Sequence, residues 1–170
     1  MTAEIDWTIR SLSRRDNRKN FDCGEPALND YLQRFAHQHA SKNVSQTHVA
    51  VCTYPHEKII GFYTLSSGSV NFHKFPPPVQ KKLPKYPVPV IRIGRLAVDK
   101  TMQGRGVGDS LLMDALYRNL KFSKEVGIFA VVVDAKHDKA KAFYLKYGFS
   151  EFNDEPLGLF LPVKTIMDLM

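Results

Sequence analysis

The chain has 170 residues, 44% of them hydrophobic and 24% charged, which is typical of a folded globular domain and excludes a mostly disordered chain. It contains no run of 18 apolar residues, so the sequence predicts no membrane-spanning helix. Acidic residues near the start argue against a signal peptide. We therefore expect a cytoplasmic protein with a single domain over residues 1–170.

The charge balance favours an anionic partner. There are 24 Lys and Arg residues against 17 Asp and Glu residues, a net charge of +7, and clustered basic residues favour the binding of polyanions such as nucleic acids. The alternative interpretation is that the net charge serves only to keep the protein soluble. Cys23 and Cys52 are far apart and the six histidines supply no grouped ligands, so we expect buried thiols and no metal site.

A strand, a helix and a hairpin are predicted in the first 70 residues. Residues 7–12 alternate in polarity, as a strand does. Residues 25–43 predict an amphipathic helix that has Pro26 in its first turn. Its apolar stripe is expected to contain Leu28, Tyr31, Leu32 and Phe35. Residues 47–54 and 58–70 are rich in β-branched and aromatic side chains and predict the hairpin.

A proline-rich segment follows at residues 75–89. Proline lacks a backbone N–H and disrupts regular structure, so this density of prolines predicts neither a helix nor a central strand. We expect the segment to be a surface excursion from the single domain, carrying Lys81, Lys82 and Lys85.

Strands and helices alternate in the second half. Residues 90–98 predict a strand, 108–122 a helix, 127–135 a strand buried on both faces, and 157–163 a closing strand. Residues 137–149 predict a helix with Gly148 as its C-cap. The inner stripe of the 108–122 helix is expected to contain Val107, Leu111, Leu112, Ala115 and Leu116. The order β-α-β-β-β-α-β-α-β indicates a mixed α/β layered sheet.

Residues 103–108, with the sequence Gln-Gly-Arg-Gly-Val-Gly, lie between a predicted strand and a predicted helix. Glycine permits positive φ and the close approach of an oxyanion, and backbone N–H groups at a helix start attract phosphate. A simple tight turn needs one glycine rather than three. The sequence therefore predicts a phosphate-binding loop, called the glycine loop below, to which Arg105 adds a cation.

Two nucleotide-binding motifs do not fit the glycine loop. Counting from Gly104, Asp109 and Ser110 stand where a Walker A loop has Gly and Lys, and Asp109 stands where a dinucleotide-binding loop has its last glycine. The spacing that fits is Gln-x-x-Gly-x-Gly, formed by Gln103, Gly106 and Gly108.

With this pattern the chain resembles the GCN5-related N-acetyltransferases (GNAT). The stretch RLAVDKTMQGRGVGDSLL, residues 95–112, is similar to the family's motif A, and AKAFYLKYGF, residues 140–149, is similar to its later A-x-x-F-Y-x-x-x-G-F element. The resemblance implies the GNAT fold, which is α/β (α+β). We expect a mixed, mostly antiparallel sheet of six to seven strands, with helices on both faces and splayed central strands.

The resemblance also implies a binding site for acetyl-coenzyme A and a catalytic residue. The backbone of Leu96, Ala97 and Val98 is expected to pair with the pantetheine arm. The pyrophosphate is expected to lie on the glycine loop, which consists of Gln103, Gly104, Arg105, Gly106, Val107 and Gly108. Phe143 is expected to line the other side of the coenzyme, and Tyr144 to be the general acid that protonates the leaving thiolate. The family often has Asn seven residues before this tyrosine, where the chain has His137.

Three further stretches, residues 21–38, 59–70 and 83–99, resemble the acetyltransferase toxins of bacterial toxin–antitoxin systems. This resemblance implies acetylation of the α-amino group of aminoacyl-tRNA, which blocks translation. It also implies a ribbon-helix-helix antitoxin as partner, and it fits a homodimer. The residues that we assign to tRNA binding are Lys81, Lys82, Lys85, Arg92 and Arg95.

Direct transfer is the expected chemistry. The α-amino group of an amino acid esterified to tRNA should be largely neutral at cellular pH, so that a dedicated base is optional. Cys52 has no identifiable partner base, so no acyl-enzyme is expected. The acids near the catalytic stretches are Asp99, Asp134 and Asp138. Two alternatives stay open: an acetyltransferase of a small amine or a protein N-terminus, and a non-catalytic module that binds coenzyme A or nucleic acid.

Overall fold

The computed structural model describes residues 6–170, which form a mixed sheet and several helices. The strands are β1 (Trp7–Ser11), β2 (Gln46–Cys52), β3 (Lys58–Val70), β4 (Val88–Val98), β5 (Ala130–Asp134), β6 (Ser150–Phe152) and β7 (Glu155–Pro162). The helices are α1 (Pro26–Asp30), α2 (Ala36–Ser41), α3 (Pro77–Gln80), α4 (Val107–Phe122), α5 (Asp138–Lys146) and α6 (Val163–Leu169). A π-helical segment, Tyr31–Phe35, joins α1 to α2, and 3-10 turns occupy Phe72–Lys74 and Lys100–Met102.

The strands follow the order β1-β2-β3-β4-β5-β7-β6 in the sheet. The pairs β1–β2, β2–β3, β5–β7 and β6–β7 are antiparallel, whereas β4 and β5 are parallel. This topology confirms the expected mixed, mostly antiparallel sheet. The sequence does not predict α3, β6 or α6. Within residues 6–170, no helix is long and apolar enough to cross a membrane.

By its internal contacts the chain divides into two compact units. The described part of the first unit holds residues 6–66 and 95–115, and the second unit holds residues 67–94 and 116–170. Because this division does not test whether either unit folds alone, the single domain over residues 1–170 stays a prediction.

The core of the first unit contains residues from α1, the π-helical segment, α2 and the hairpin strands. Leu32 and Ala36 are fully buried together with Val49 and Phe62. The ring of Phe21 meets that of Phe62 edge to face, with 5.4 Å between the ring centroids, a favoured aromatic geometry. The helical region and the hairpin therefore share one apolar cluster.

The predicted apolar stripe of the first helix is wrong at one position. Leu28, Tyr31 and Leu32 are buried as expected, but Phe35 is 37% exposed and Ala36 is fully buried instead. The π-helical segment is the physical reason, since a π turn contains more residues than an α turn. The inward position therefore moves from residue 35 to residue 36.

The core of the second unit is centred on Phe75 from the proline-rich segment. Its fully buried ring makes edge-to-face contacts with Phe129, Phe152 and Phe160, with centroid separations of 5.5, 5.2 and 5.1 Å. The Phe75 carbonyl accepts hydrogen bonds from the side-chain amides of Gln80 and Asn153. One end of the segment is therefore a core element.

The expectation that residues 75–89 contain neither a helix nor a central strand is wrong at both ends of the segment, since β4 lies between β3 and β5 in the sheet. Helix α3 has prolines in its first turn, where a missing N–H costs nothing, and it ends after one turn. Strand β4 begins at Val88, so Pro89 is only its second residue, and prolines are tolerated near a strand start. Between these elements Lys81, Lys82 and Lys85 are exposed, as the sequence predicts.

Candidate active site

The glycine loop leads into helix α4 in the first unit. Gly104 and Gly106 have φ of +77° and +86°, a region that side chains disfavour. Nothing lies within 4 Å of where a Cβ would be at either glycine, so the loop is open on that side. Gly108 belongs to the first turn of α4. Two of the three glycines thus serve the loop, and the third lies inside the helix.

The start of α4 supplies backbone donors to this loop. The amide of Ser110 donates to the Gly106 carbonyl at 3.1 Å, as the first hydrogen bond of the helix. The N–H groups of Val107 and Gly108 precede it, so helix geometry gives them no partner within α4. Such N–H groups, at the positive end of a 16-residue helix, suit a pyrophosphate, and the exposed Arg105 adds a positive charge.

Gln103 is engaged with the protein through its side chain. Its Nε2 donates to the carbonyl oxygens of Cys23 at 3.1 Å and Val98 at 3.0 Å. Both hydrogens of the carboxamide are therefore used within the chain, and a contact from Gln103 to a pyrophosphate would come from its backbone. The structure brings Gln103 together with Val98, another predicted contact of the coenzyme.

Strand β4 lies close to β3 at its predicted pantetheine-binding end. A Cβ placed on Gly61 of β3 would lie 3.0 Å from the Ala97 carbonyl oxygen, 2.8 Å from Leu111 Cδ1 and 3.2 Å from Val107 Cγ1. Only glycine fits at such separations without a shift of the neighbouring atoms. Gly61 therefore permits the close approach of β3, β4 and the first turns of α4.

Two of the acids named in the sequence analysis, Asp99 and Asp134, are engaged in contacts within their own units. The Asp99 carboxylate, 2% exposed, accepts from the amide and hydroxyl of Thr101 and from the Asp22 amide. Burial raises the pKa of this carboxyl, but these hydrogen bonds and the charge of Lys58 outweigh burial and lower it overall. Asp134 forms an ion pair with Arg92 in the second unit.

Helix α5 in the second unit carries the predicted general acid. Tyr144 is 8% exposed and its ring contacts those of Phe143 and Phe149, at centroid separations of 5.2 and 5.4 Å. Burial raises the pKa of Tyr144 to about 12. Within the described residues its hydroxyl has no hydrogen-bond partner, so it is available to a ligand.

His137 begins helix α5. Its Nδ1 accepts a hydrogen bond from the Ala140 amide at 3.1 Å, as Asn or Asp commonly does at a helix start. His137 therefore supplies the N-cap of α5 at the position where GNAT proteins often have Asn. Gly148, with φ of +93°, follows the end of the helix, as the sequence predicts.

The basic residues assigned to tRNA have three kinds of environment. Lys81, Lys82 and Lys85 are exposed on the proline-rich segment. Arg92 is paired with Asp134 within the second unit. The guanidinium of Arg95 lies over the Tyr31 ring in the first unit, 3.5 Å from its centroid, a cation–π contact. Of these five residues, the three lysines are therefore the best placed to bind an external anion.

Sequence reasoning misses Asp22, Cys23 and Gly24, called the 22–24 turn below. This turn contacts the residues that lead into the glycine loop. The pattern Asp-x-Gly is a turn signal that indicates its local shape but not its contacts. No group of three His, Cys, Asp or Glu side chains that could hold a metal occurs among residues 6–170.

Comparison with known proteins identifies the family. The model of the acetyltransferase (GNAT) domain matches residues 44–151. The chain is 40% identical over 155 residues to a tRNA-acetylating toxin of Mycobacterium tuberculosis, with 91% of each chain covered. It is also similar to the solved structure of AtaT complexed with acetyl-methionyl-tRNAfMet, with TM-score 0.90, 31% identity, and coverage of 96% of this chain and 99% of that one.

A second AtaT structure adds two ligands to the comparison. It contains a tyrosine-to-phenylalanine variant of the toxin bound to the C-terminus of the antitoxin AtaR and to acetyl-CoA. Its TM-score is 0.82 at 28% identity, and the match covers 96% of this chain and 98% of that one. From the matched domain and the 40% identical relative, together with the glycine loop and the tyrosine helix, we conclude that this chain is an N-acetyltransferase of the GNAT family.

Proposed function

We propose that this protein transfers the acetyl group of acetyl-CoA to the α-amino group of an aminoacyl-tRNA, and that it acts as the toxin of a bacterial toxin–antitoxin pair. The observation that carries the proposal is the 40% identity to a tRNA-acetylating toxin over 91% of the chain. The AtaT complex with acetyl-methionyl-tRNAfMet supports the same class of acceptor. The exposed Lys81, Lys82 and Lys85 suit the phosphate groups of an RNA backbone.

The donor is expected to bind along the first unit. The N–H groups of Val107 and Gly108 and the side chain of Arg105 are available for the pyrophosphate, and the positive φ of Gly104 and Gly106 shapes the open loop. We propose that the pantetheine arm pairs with the backbone of Leu96, Ala97 and Val98 in β4. These assignments extend to the chain what the GNAT resemblance implies.

Tyr144 is the proposed general acid. Its pKa of about 12 lies well above the roughly 8.5 of a thiol, so the hydroxyl stays protonated and donates a hydrogen bond to the departing sulfur. Full transfer of its proton to a thiolate is uphill unless the hydroxyl gains another proton in the same step. The attacking amine loses a proton as the amide forms, so we propose that Tyr144 relays this proton to sulfur.

The proposed partner is an antitoxin of the ribbon-helix-helix class, and the proposed assembly is a homodimer. The AtaT structure bound to the C-terminus of the antitoxin AtaR supports a partner whose tail contacts the toxin. The net charge of +7 favours an acidic tail, since opposite charges accelerate encounter.

The decisive experiment offers the protein a mixture of aminoacyl-tRNAs with labelled acetyl-CoA. We expect label on the α-amino group of one or a few aminoacyl-tRNAs, identified by nuclease digestion and mass spectrometry. Tyr144→Phe should lower the rate by about a hundredfold or more, as the loss of a general acid typically does, and change the Kd for coenzyme A by less than about twofold. Faster acetylation of free amines or peptide N-termini than of any aminoacyl-tRNA would instead support the alternative acceptors.

A further inference from the structure

The 22–24 turn is bonded to the chain that leads into the glycine loop. The Asp22 amide donates to Asp99 Oδ2 at 3.1 Å, and the Asp22 carbonyl accepts from the Lys100 amide at 2.8 Å. The Asp22 carboxylate forms an ion pair with the Lys100 ammonium at 3.0 Å. With the bond from Gln103 to the Cys23 carbonyl, the turn is joined to three positions from Asp99 to the first residue of the glycine loop.

The 22–24 turn is itself held in one shape. Asp22 Oδ1 accepts from the Gly24 amide and from Asn29 Nδ2, each at 2.9 Å, and Asn29 Oδ1 accepts from the Cys23 amide at 2.8 Å. Gly24 has a φ of +91°, which glycine adopts without the steric cost that a side chain would bring. Since Asn29 belongs to α1, the turn is fastened to a helix that packs in the core of the first unit.

We infer that the 22–24 turn is a positioning element of the donor site, in which Asp22 and Gln103 hold the start of the glycine loop in the shape that binds acetyl-CoA. Neither side chain needs to touch the coenzyme, since the carboxamide of Gln103 is already bonded to Cys23 and Val98. A loop with two positive-φ glycines has many conformations, and fixing it before binding removes an entropic cost from binding. The inference rests on the proposed use of residues 103–108 for the pyrophosphate.

For Asp22→Asn, simple electrostatics and a positioning role predict opposite changes in the affinity for the coenzyme, which makes the inference testable. Asp22 is an anion close to a loop proposed to bind an anion, so its neutralisation should tighten coenzyme binding if charge alone matters. If Asp22 acts through position, its neutralisation frees Lys100 and loosens the turn, and coenzyme binding weakens. The side chain is half exposed, so Asp22→Asn is compatible with the fold.

The experiment measures the Kd for coenzyme A by calorimetry, and kcat and the KM for acetyl-CoA by acetyl transfer, in the full chain. We expect Gln103→Ala to raise both the Kd and the KM about tenfold, and Asp22→Asn about threefold, for the loss of one or two hydrogen bonds. For Asp22→Asn, kcat at saturating acetyl-CoA should stay within about twofold of wild type. The double variant should show less than the product of the two effects, because both act through one turn.

Asp16→Asn is the control. Asp16 pairs with Arg10 in the first unit at 2.6 Å, and its side chain is 5% exposed, so the substitution removes an ion pair that is more buried than the Asp22–Lys100 pair and lies outside the 22–24 turn. We expect it to lower the thermal unfolding temperature without changing the Kd for coenzyme A. A lower unfolding temperature for Gln103→Ala and Asp22→Asn with an unchanged Kd would overturn the inference, as would tighter binding by Asp22→Asn. Failure of the wild-type protein to bind coenzyme A would overturn the proposed donor site together with the inference.

Discussion

Tyr144 is an unusually weak acid for its proposed task. Burial raises its pKa to about 12, compared with about 10 for a free tyrosine. The protonated form, which is the catalytic form, is therefore retained at every pH at which the protein works. The acceptor amine, rather than this hydroxyl, should set the pH dependence of the reaction.

The pH profile tests this assignment. We expect kcat/KM for aminoacyl-tRNA to rise as the α-amino group loses its proton, and then to stay level up to about pH 10, because Tyr144 does not ionise in that range. Tyr144→Phe should lower the whole profile and leave the position of the acid limb unchanged. A decline above pH 8 that disappears in Tyr144→Phe would show that the hydroxyl ionises much lower than proposed.

The raised pKa also affects stability. An unfolded chain loses the Tyr144 proton near pH 10, whereas the folded chain keeps it until about pH 12. The contribution to the free energy of unfolding is therefore complete below pH 10, and is lost as the pH rises from 10 towards 12.

Gly61 is a second residue for which the surrounding atoms predict the effect of a substitution. Any side chain there would displace the Ala97 carbonyl, Leu111 or Val107, and two of these residues belong to the proposed donor site. We expect Gly61→Ala to lower the free energy of unfolding by about 1–3 kcal/mol, measured by urea denaturation, and to raise the KM for acetyl-CoA.

Gly68→Ala is the control for Gly61→Ala on the same strand. A Cβ on Gly68 would meet only Val90 Cγ2 at 3.9 Å, which is ordinary contact, and replacing glycine reduces the entropy of the unfolded chain. This variant should be as stable as wild type or slightly more stable. Equal losses of stability for both substitutions would contradict the argument from close approach.

At the scale of elements, the proline-rich segment is the most distinctive part of the second unit. It begins in the core at Phe75, passes through α3 and ends in β4. The intervening turn carries Lys81, Lys82 and Lys85 together with Tyr86, whose side chain is 70% exposed. The segment thus presents cations on a short connection between two packed elements.

Charge reversal of this segment tests its role. Replacing Lys81, Lys82 and Lys85 by Glu should weaken tRNA binding at least tenfold at low salt, because phosphate contacts dominate such affinities, and leave the Kd for coenzyme A unchanged. The control is the same change at three exposed lysines elsewhere, Lys42, Lys124 and Lys164. It alters the net charge equally, so equal weakening by both triple variants in a filter-binding assay would indicate a general charge effect and not a binding segment.

The elements could be predicted wherever a periodic pattern or a capping residue marks them. The stripe of α4 is an example, since its five predicted residues are at most 1% exposed. The π-helical segment could not be predicted, because Tyr31–Phe35 has an ordinary helical composition. Its extra residue per turn is evident only in the structure, where Ala36 and not Phe35 is buried. Helix α3 could not be predicted either, because the prolines in its first turn are, in a sequence, evidence against a helix.

For the whole molecule, local motifs were easier to predict than contacts between distant residues. The glycine loop and Tyr144 lie in short stretches of fixed spacing, so the sequence was enough to propose them. The contact between Gln103 and Cys23 joins residues 80 positions apart, and no local pattern records it. The family match and the sheet topology together establish the fold, whereas the assignment of individual residues to the donor and to tRNA stays a prediction.

The buried ring of Phe75 has a consequence for how the lysine-bearing turn recognises a ligand. A cationic loop that is free to move must be ordered on binding, and this loss of conformational freedom offsets part of each new ion pair. Here the aromatic contacts of Phe75 and the short length of the connection limit the motion of the turn before any ligand arrives. The backbone that carries the lysines is therefore ordered before binding, so tRNA binding through this segment should cost mainly the entropy of the lysine side chains.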